Sequence, residues 1–198
     1  DRNGIVSDAL KFAAILRSGA DGKKAAIIEA MAAAASGAGE HELESMLVSY
    51  EDNEIKMLGY FLIASSYERK GFYSEASGHY SRIAKDKNLG LLKTLAIFRK
   101  GRLLFFDGKF DDAKEWLLRA YQAGAPEAGL WLANAMYVKG EIDGAWEIYS
   151  KAASDPEAQF DLVTRLSMAD AAIEKKDFES GRKAYEGLLS GHMTKDMP

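Results

Sequence analysis

The 198-residue sequence predicts an all-α fold, in which antiparallel helix hairpins stack into a solenoid behind an N-terminal helical cap. Three observations carry that expectation. Alanine and leucine are plentiful while proline occurs only three times, a balance that favours helices over strands. Gly71, Gly108 and Gly140, with Lys176 in the corresponding place of a fourth unit, recur at intervals of 37, 32 and 36 residues, inside the range of roughly 20 to 50 residues that marks repeat architectures. Small residues flank each of these positions at helical spacing.

Residues 1–53 come first and lack the repeat. Helices are expected near 5–17, 21–35 and 40–50, separated by Gly19-Ala20-Asp21-Gly22 and Ser36-Gly37-Ala38-Gly39, because glycine clusters interrupt helices. Gly19 with Ile15 and Ile28 echoes a worn repeat, but the alanine-rich helix that follows breaks the period. The segment reads as a cap or degenerate repeat, with a regulatory fold-back and a dimerising surface as open alternatives.

Four units follow over residues 54–190, at about 54–89, 90–124, 125–154 and 155–190. Five residues beyond each turn stands a small residue, Ala76, Ala113, Ala145 or Gly181. Four further stands Tyr80, Leu117, Tyr149 or Tyr185, and three beyond that Ile83, Ala120, Ala152 or Leu188. Upstream of each turn lies a second small position, Ala64, Gly101, Ala133 or Ala169, followed by Tyr67, Leu104, Met136 or Ala172. A small residue on each helix lets two helices approach closely, and the large residue one turn away fills the space beside the contact. The glycine frees the turn between them. One hairpin cannot bury both its faces, so the units must stack. Helix starts agree with this register: Ala125-Pro126-Glu127 and Asp155-Pro156-Glu157 place proline in a first turn, with an acid near the positive helix end. Residues 191–198 are polar and aperiodic, and read as a flexible tail.

These motifs resemble the tetratricopeptide family over residues 54–190. The third unit, with Leu130-Trp131-Leu132-Ala133, Gly140, Ala145, Tyr149 and Lys151-Ala152-Ala153, also resembles Sel1-like repeats. The resemblance implies a right-handed solenoid whose first helices line a concave groove that binds a peptide or helix of a partner protein. In successive units the groove positions would be Phe61, Ser65 and Glu68; Phe98, Arg102 and Phe105; Leu130, Asn134 and Tyr137; and Leu166, Asp170 and Ile173. Aromatics and arginine dominate interface energetics, and Asn134 offers an amide to a ligand backbone. The competing reading is packing, since a register shift of one residue sets Phe98 and Phe105 against a neighbouring repeat. Phe61 and Ser65 stand where carboxylate-clamping members of the family carry other residues, which argues against capture of a chaperone C-terminus.

The remaining signals exclude more than they suggest. A net charge of -4 and a pI near 5.5, with Lys and Arg interspersed among acids, leave no basic footprint for nucleic acid. No apolar run approaches the roughly 18 residues of a membrane span. Without cysteine there is no disulfide, thiolate metal site or cysteine nucleophile. His41, His79 and His192 lack ligand spacing; His41-Glu42 has no second histidine one turn on, and His41 and His79 read as exposed helix residues. Gly19 to Lys24 lacks phosphate-loop spacing and a following Ser or Thr. Glu51-Asp52 and Asp111-Asp112 fall at helix starts, where capping accounts for them.

The expectation is a non-enzymatic scaffold or adaptor with no cofactor and no metal, acting in a bacterial envelope, secretion or motility assembly. A client-specific chaperone and a helical accessory domain of a larger enzyme are the alternatives. The N-terminal helices offer a surface for homo-oligomers. A start at Asp1 fits a mature secreted form, a trimmed form or a fragment, with a lean towards a periplasmic or envelope setting.

Overall fold

The computed structural model describes residues 40–48, 51–86, 90–153 and 162–192. Among them all regular structure is helical, in the order α1 Glu40–Val48, α2 Asn53–Lys70, α3 Tyr73–Ala84, α4 Gly90–Phe106, α5 Phe110–Gln122, α6 Pro126–Val138, α7 Ile142–Ala153, α8 Leu162–Glu174 and α9 Phe178–His192. The helix expected at 40–50 is α1. The helices expected near 5–17 and 21–35, the glycine breaks beside them, the Asp155-Pro156 cap and residues 193–198 lie outside the described residues. Gly191 and His192, expected in the tail, instead extend α9. The chain divides into two compact units, Asp1–Leu103 and Leu104–Pro198, with the boundary inside α4.

The turn geometry follows from the repeated positions. In the first unit Gly71 is left-handed at φ 82°; its N–H donates to the Glu68 carbonyl at 3.2 Å, and the Phe72 N–H donates to the Tyr67 carbonyl at 2.9 Å. This paired arrangement satisfies carbonyls that the helix end would otherwise leave without donors. In the second unit Gly108 (φ 75°) and Gly140 (φ 78°) repeat it, with the Lys109 N–H on the Leu104 carbonyl and the Glu141 N–H on the Met136 carbonyl, both at 2.9 Å. Lys176 adopts φ 62° and makes the same pair of bonds, its own N–H to Ile173 at 2.9 Å and the Asp177 N–H to Ala172 at 2.8 Å. Among the described residues it is the non-glycine held at positive φ.

Side-chain caps fix the starts of α2 and α9, whereas α3, α5 and α6 begin without one. The Asp52 side chain accepts from the N–H groups of Glu54 (2.9 Å) and Ile55 (3.2 Å), which fixes the start of α2. Pro126 opens α6 in its first turn, where a missing N–H costs nothing. Asp111 and Asp112 lie in the first turn of α5, and Asp177 caps α9 through the Ser180 N–H at 3.1 Å.

The small positions do what close helix approach requires. Ala64 and Ala76 in the first unit, and Ala113, Ala133, Ala145 and Ala169 in the second, are fully buried. The large positions Tyr80, Leu117 and Tyr149 are also fully buried. Burying Leu117, and likewise Ile63 or Ile83, stabilises by roughly 1.5–3 kcal/mol. In the first unit α1 packs on α2 and α2 on α3; their core joins Leu47, Leu58, Phe61, Ile63, Tyr80 and Ile83 with Leu92 and Leu103 of α4. In the second unit α6 packs between α5 and α7, and α8 packs on α6, α7 and α9. Among the described residues no helix is long and apolar enough to cross a membrane.

Candidate functional site

Of the stripe that the resemblance assigned to a groove, Phe61, Ser65 and Asn134 are buried, Leu166 and Ile173 are exposed and the other residues are half-buried. In the first unit Phe61 is 2% exposed, with its ring edge-on to Tyr80 at 5.4 Å between centroids. Ser65 is likewise 2% exposed, its Oγ 3.2 Å from the Tyr80 hydroxyl. That hydroxyl donates to Glu68 Oε2 at 2.8 Å, and the Arg99 guanidinium on α4 stands 3.5 Å from both Glu68 oxygens. Burial and then the Glu68 charge push the Tyr80 phenol well above its usual range. Phe98 is half-buried, and the Arg102 guanidinium lies 5.8 Å from its ring centroid.

The second unit repeats the pattern. Phe105 is half-buried among aromatic edges, 5.3 Å from the ring centroids of both Phe110 and Trp131. Leu130 packs against the core formed by Ala133, Ala145, Tyr149, Met168 and Ala171. Asn134 is fully buried: its Oδ1 accepts from the Tyr149 hydroxyl at 2.6 Å, and its Nδ2 donates to Thr164 Oγ1 on α8 at 3.0 Å. Tyr137 donates to Glu174 at 3.2 Å. Its phenol is pushed up to about 12 by burial, then by the charges of Asp170 and Glu174. The Tyr185 hydroxyl donates to Asp170, the bond that chiefly raises the Tyr185 phenol.

A single rule joins these contacts. The tyrosine on each second helix meets the residue fifteen positions earlier on the first: Ser65 with Tyr80, Asn134 with Tyr149, Asp170 with Tyr185. Leu117 stands at that spacing from Arg102 and brings no hydroxyl. The same stripe also meets the next first helix, through Arg99 on Glu68, Thr164 on Asn134 and Glu174 on Tyr137. As placed, Phe61, Ser65 and Asn134 therefore present no surface to a ligand, and both ends of the Asn134 amide are taken. On α8 the stripe is open, with Leu166 41% and Ile173 43% exposed and Asp170 half-buried.

The second unit also carries a groove, which Leu130 of the predicted stripe helps to line. This groove of about 1210 Å³ runs over α6 between α5 and α7. Gly129, Leu132 and Met136 form its floor, Leu118 and Tyr121 one wall, and Gly144 and Ile148 the other. A Cβ at Gly129 would fall 2.9 Å from the Tyr121 ring, so the glycine is what lets that ring lie across the α6 backbone. Lys114, Glu115, Glu147 and Lys151 rim the apolar floor with both signs of charge. Ion pairs Lys139–Asp111, at 2.9 Å, and Lys114–Glu141 tie the start of α5 to the α6–α7 turn. The groove residues Leu118 and Tyr121 are 43% and 38% exposed and were not anticipated. The signal was present: each directly follows a packing residue, Leu117 or Ala120, and so widens the apolar face of α5 beyond what its hairpin needs.

His79, expected on the surface, is half-buried and stacked between two rings, 5.7 Å from Tyr60 and 5.8 Å from Tyr67. Burial lowers its pKa, with the nearby Glu44 opposing and Arg82 reinforcing the shift. Among the described residues no group of acids and histidines is arranged to hold a metal ion. No protein-family model and no curated protein matches the chain.

Proposed function

We propose that this chain is a non-enzymatic interaction scaffold that takes an amphipathic helix of a partner protein into the groove over α6. The observation that supports the reading is the union of an apolar floor with a rim of alternating charge at Lys114, Glu115, Glu147 and Lys151. An amphipathic helix buries one apolar stripe and keeps charged flanks at the solvent edge, which is the complement of that surface. The exposed apolar side chains Leu118 and Tyr121 supply the anchors, and their desolvation supplies the affinity.

Leu118→Glu tests this directly. The side chain is exposed, so the charge is tolerated by the fold but faces the ligand's apolar stripe. Affinity capture from native lysate is compared for wild type and variant, with thermal melts of both. The expected result is loss of a species that wild type retains, at an unchanged melting temperature. Retention of every species by the folded variant removes the groove from the proposal.

A further inference from the structure

The charge left on the rim of the α6 groove has one sign once its internal pairs are set aside. Asp111 is held by Lys139 at 2.9 Å, and Lys114 by Glu141. Lys151 lies in the last turn of α7 and Glu127 in the first turn of α6, where the helix ends supply partial charge of the opposite sign. Glu115 and Glu147 have neither kind of compensation. Both are exposed at the middle of their helices, and among the described residues neither carboxylate meets a cation.

Their register matters as much as their charge. Each stands seven residues beyond a turn glycine, Gly108 or Gly140, so the repeat sets the two carboxylates at one height, one on each wall of the groove. Because α6 and α7 run antiparallel about Gly140, Leu132, eight residues before that glycine, lies at about the same level in the floor.

We propose that the groove selects a basic amphipathic helix of a partner protein, in which an apolar residue of the buried stripe stands between two lysines or arginines. This selectivity rests on the reading of the α6 groove as a helix site and adds the sign of the occupant's flanks. On a helix, the neighbours of a stripe residue project about 100° to either side of it and lie about 1.5 Å above and below. A basic–apolar–basic triplet over Leu132 therefore directs one cation to Glu115 and one to Glu147, whichever way the helix runs. Acidic flanks would set like charges against carboxylates that have no neighbouring cation to relieve them. Leu118, Tyr121 and Ile148 supply contact area whatever the sign of the flanks, so affinity comes from the apolar stripe and selection from the two acids.

Three synthetic helical peptides of about 18 residues test the selection. They share leucines at spacings of four and three residues, and differ only in carrying lysine, glutamine or glutamate on both sides of the central leucines. Each is titrated into the full chain by fluorescence anisotropy. The lysine peptide is expected to bind roughly tenfold tighter than the glutamine peptide, with the glutamate peptide weakest. Glu115→Gln with Glu147→Gln should remove the lysine preference. Glu51→Gln with Glu75→Gln, an equal charge change at exposed sites outside the groove, should leave it intact. Equal affinity for the three peptides, a preference for glutamate, or equal loss in both double variants overturns the proposal, the last by assigning the preference to net charge. Equal binding of all three peptides that Leu118→Glu abolishes leaves the groove reading standing without its selectivity. Absence of binding by every peptide, or binding indifferent to Leu118→Glu, removes the groove and the proposal together. Thermal melts of both double variants check the fold, and a groove variant that melts early is replaced by Glu115→Gln alone.

Discussion

The Tyr149 hydroxyl donates a 2.6 Å hydrogen bond to Oδ1 of Asn134, with both side chains fully buried. The amide's other end donates to Thr164, so one buried polar chain ties α7, α6 and α8 together. Such a chain is stabilising only while every member is satisfied.

Tyr149→Phe keeps the ring and deletes the donor. It leaves Asn134 Oδ1 desolvated without its partner, at an expected cost of about 1–3 kcal/mol. Urea denaturation measures it, and adding Asn134→Leu is expected to return part of the loss, because the orphaned acceptor is removed with it. A loss under about 0.5 kcal/mol would show that the bond contributes little net stability.

Lys176 sits at φ 62° in a turn that uses glycine at the three equivalent positions. The left-handed conformation costs a side-chain-bearing residue roughly 1–2 kcal/mol, and glycine's greater unfolded freedom offsets roughly 0.5–1 kcal/mol of the relief. Lys176→Gly is therefore expected to stabilise by about 0.5–1 kcal/mol. Gly140→Ala is expected to destabilise by about 1 kcal/mol. The urea midpoints of both variants check the signs.

His79 makes the stability of its hairpin depend on pH. Its folded pKa lies below the ordinary 6.5, so between those two values the unfolded chain binds a proton that the native chain does not. Stability then rises with pH through that window and is fully present above about 6.5. Melting temperatures measured from about pH 7.5 to about pH 5 should fall further for wild type than for His79→Phe, which keeps a flat ring between the tyrosines. Parallel curves for the two proteins would exclude a titrating His79.

Much of the hairpin geometry was legible in the residue string, and some of its placement was not. The turns at Gly71, Gly108, Gly140 and Lys176 were found from spacing alone, and the structure gives all four the same left-handed residue and the same pair of bonds. Ala64, Ala76, Ala133 and Ala145 were likewise identified as contact positions, and all are fully buried. The face of each first helix was harder, because adjacent residues differ by only about 100° around the axis. An aromatic or amide at helical spacing fits a ligand groove and a helix contact equally well. His79 shows the same limit, since a lone histidine on a helix carries no sign of the rings that enclose it.

The sequence by itself determined where each helix of a pair ends and which small residues bring the pair together. Those features depend on hydrogen bonds spanning five residues or fewer and on contacts within one hairpin, so local chemistry suffices. Only the tertiary structure decided that Asn134 serves Tyr149 and Thr164, that the open groove lies over α6 between second helices, and that Leu166 and Ile173 are exposed. Each of these depends on which helix stands opposite, at separations of fifteen to about forty residues, and no local pattern encodes the identity of that neighbour.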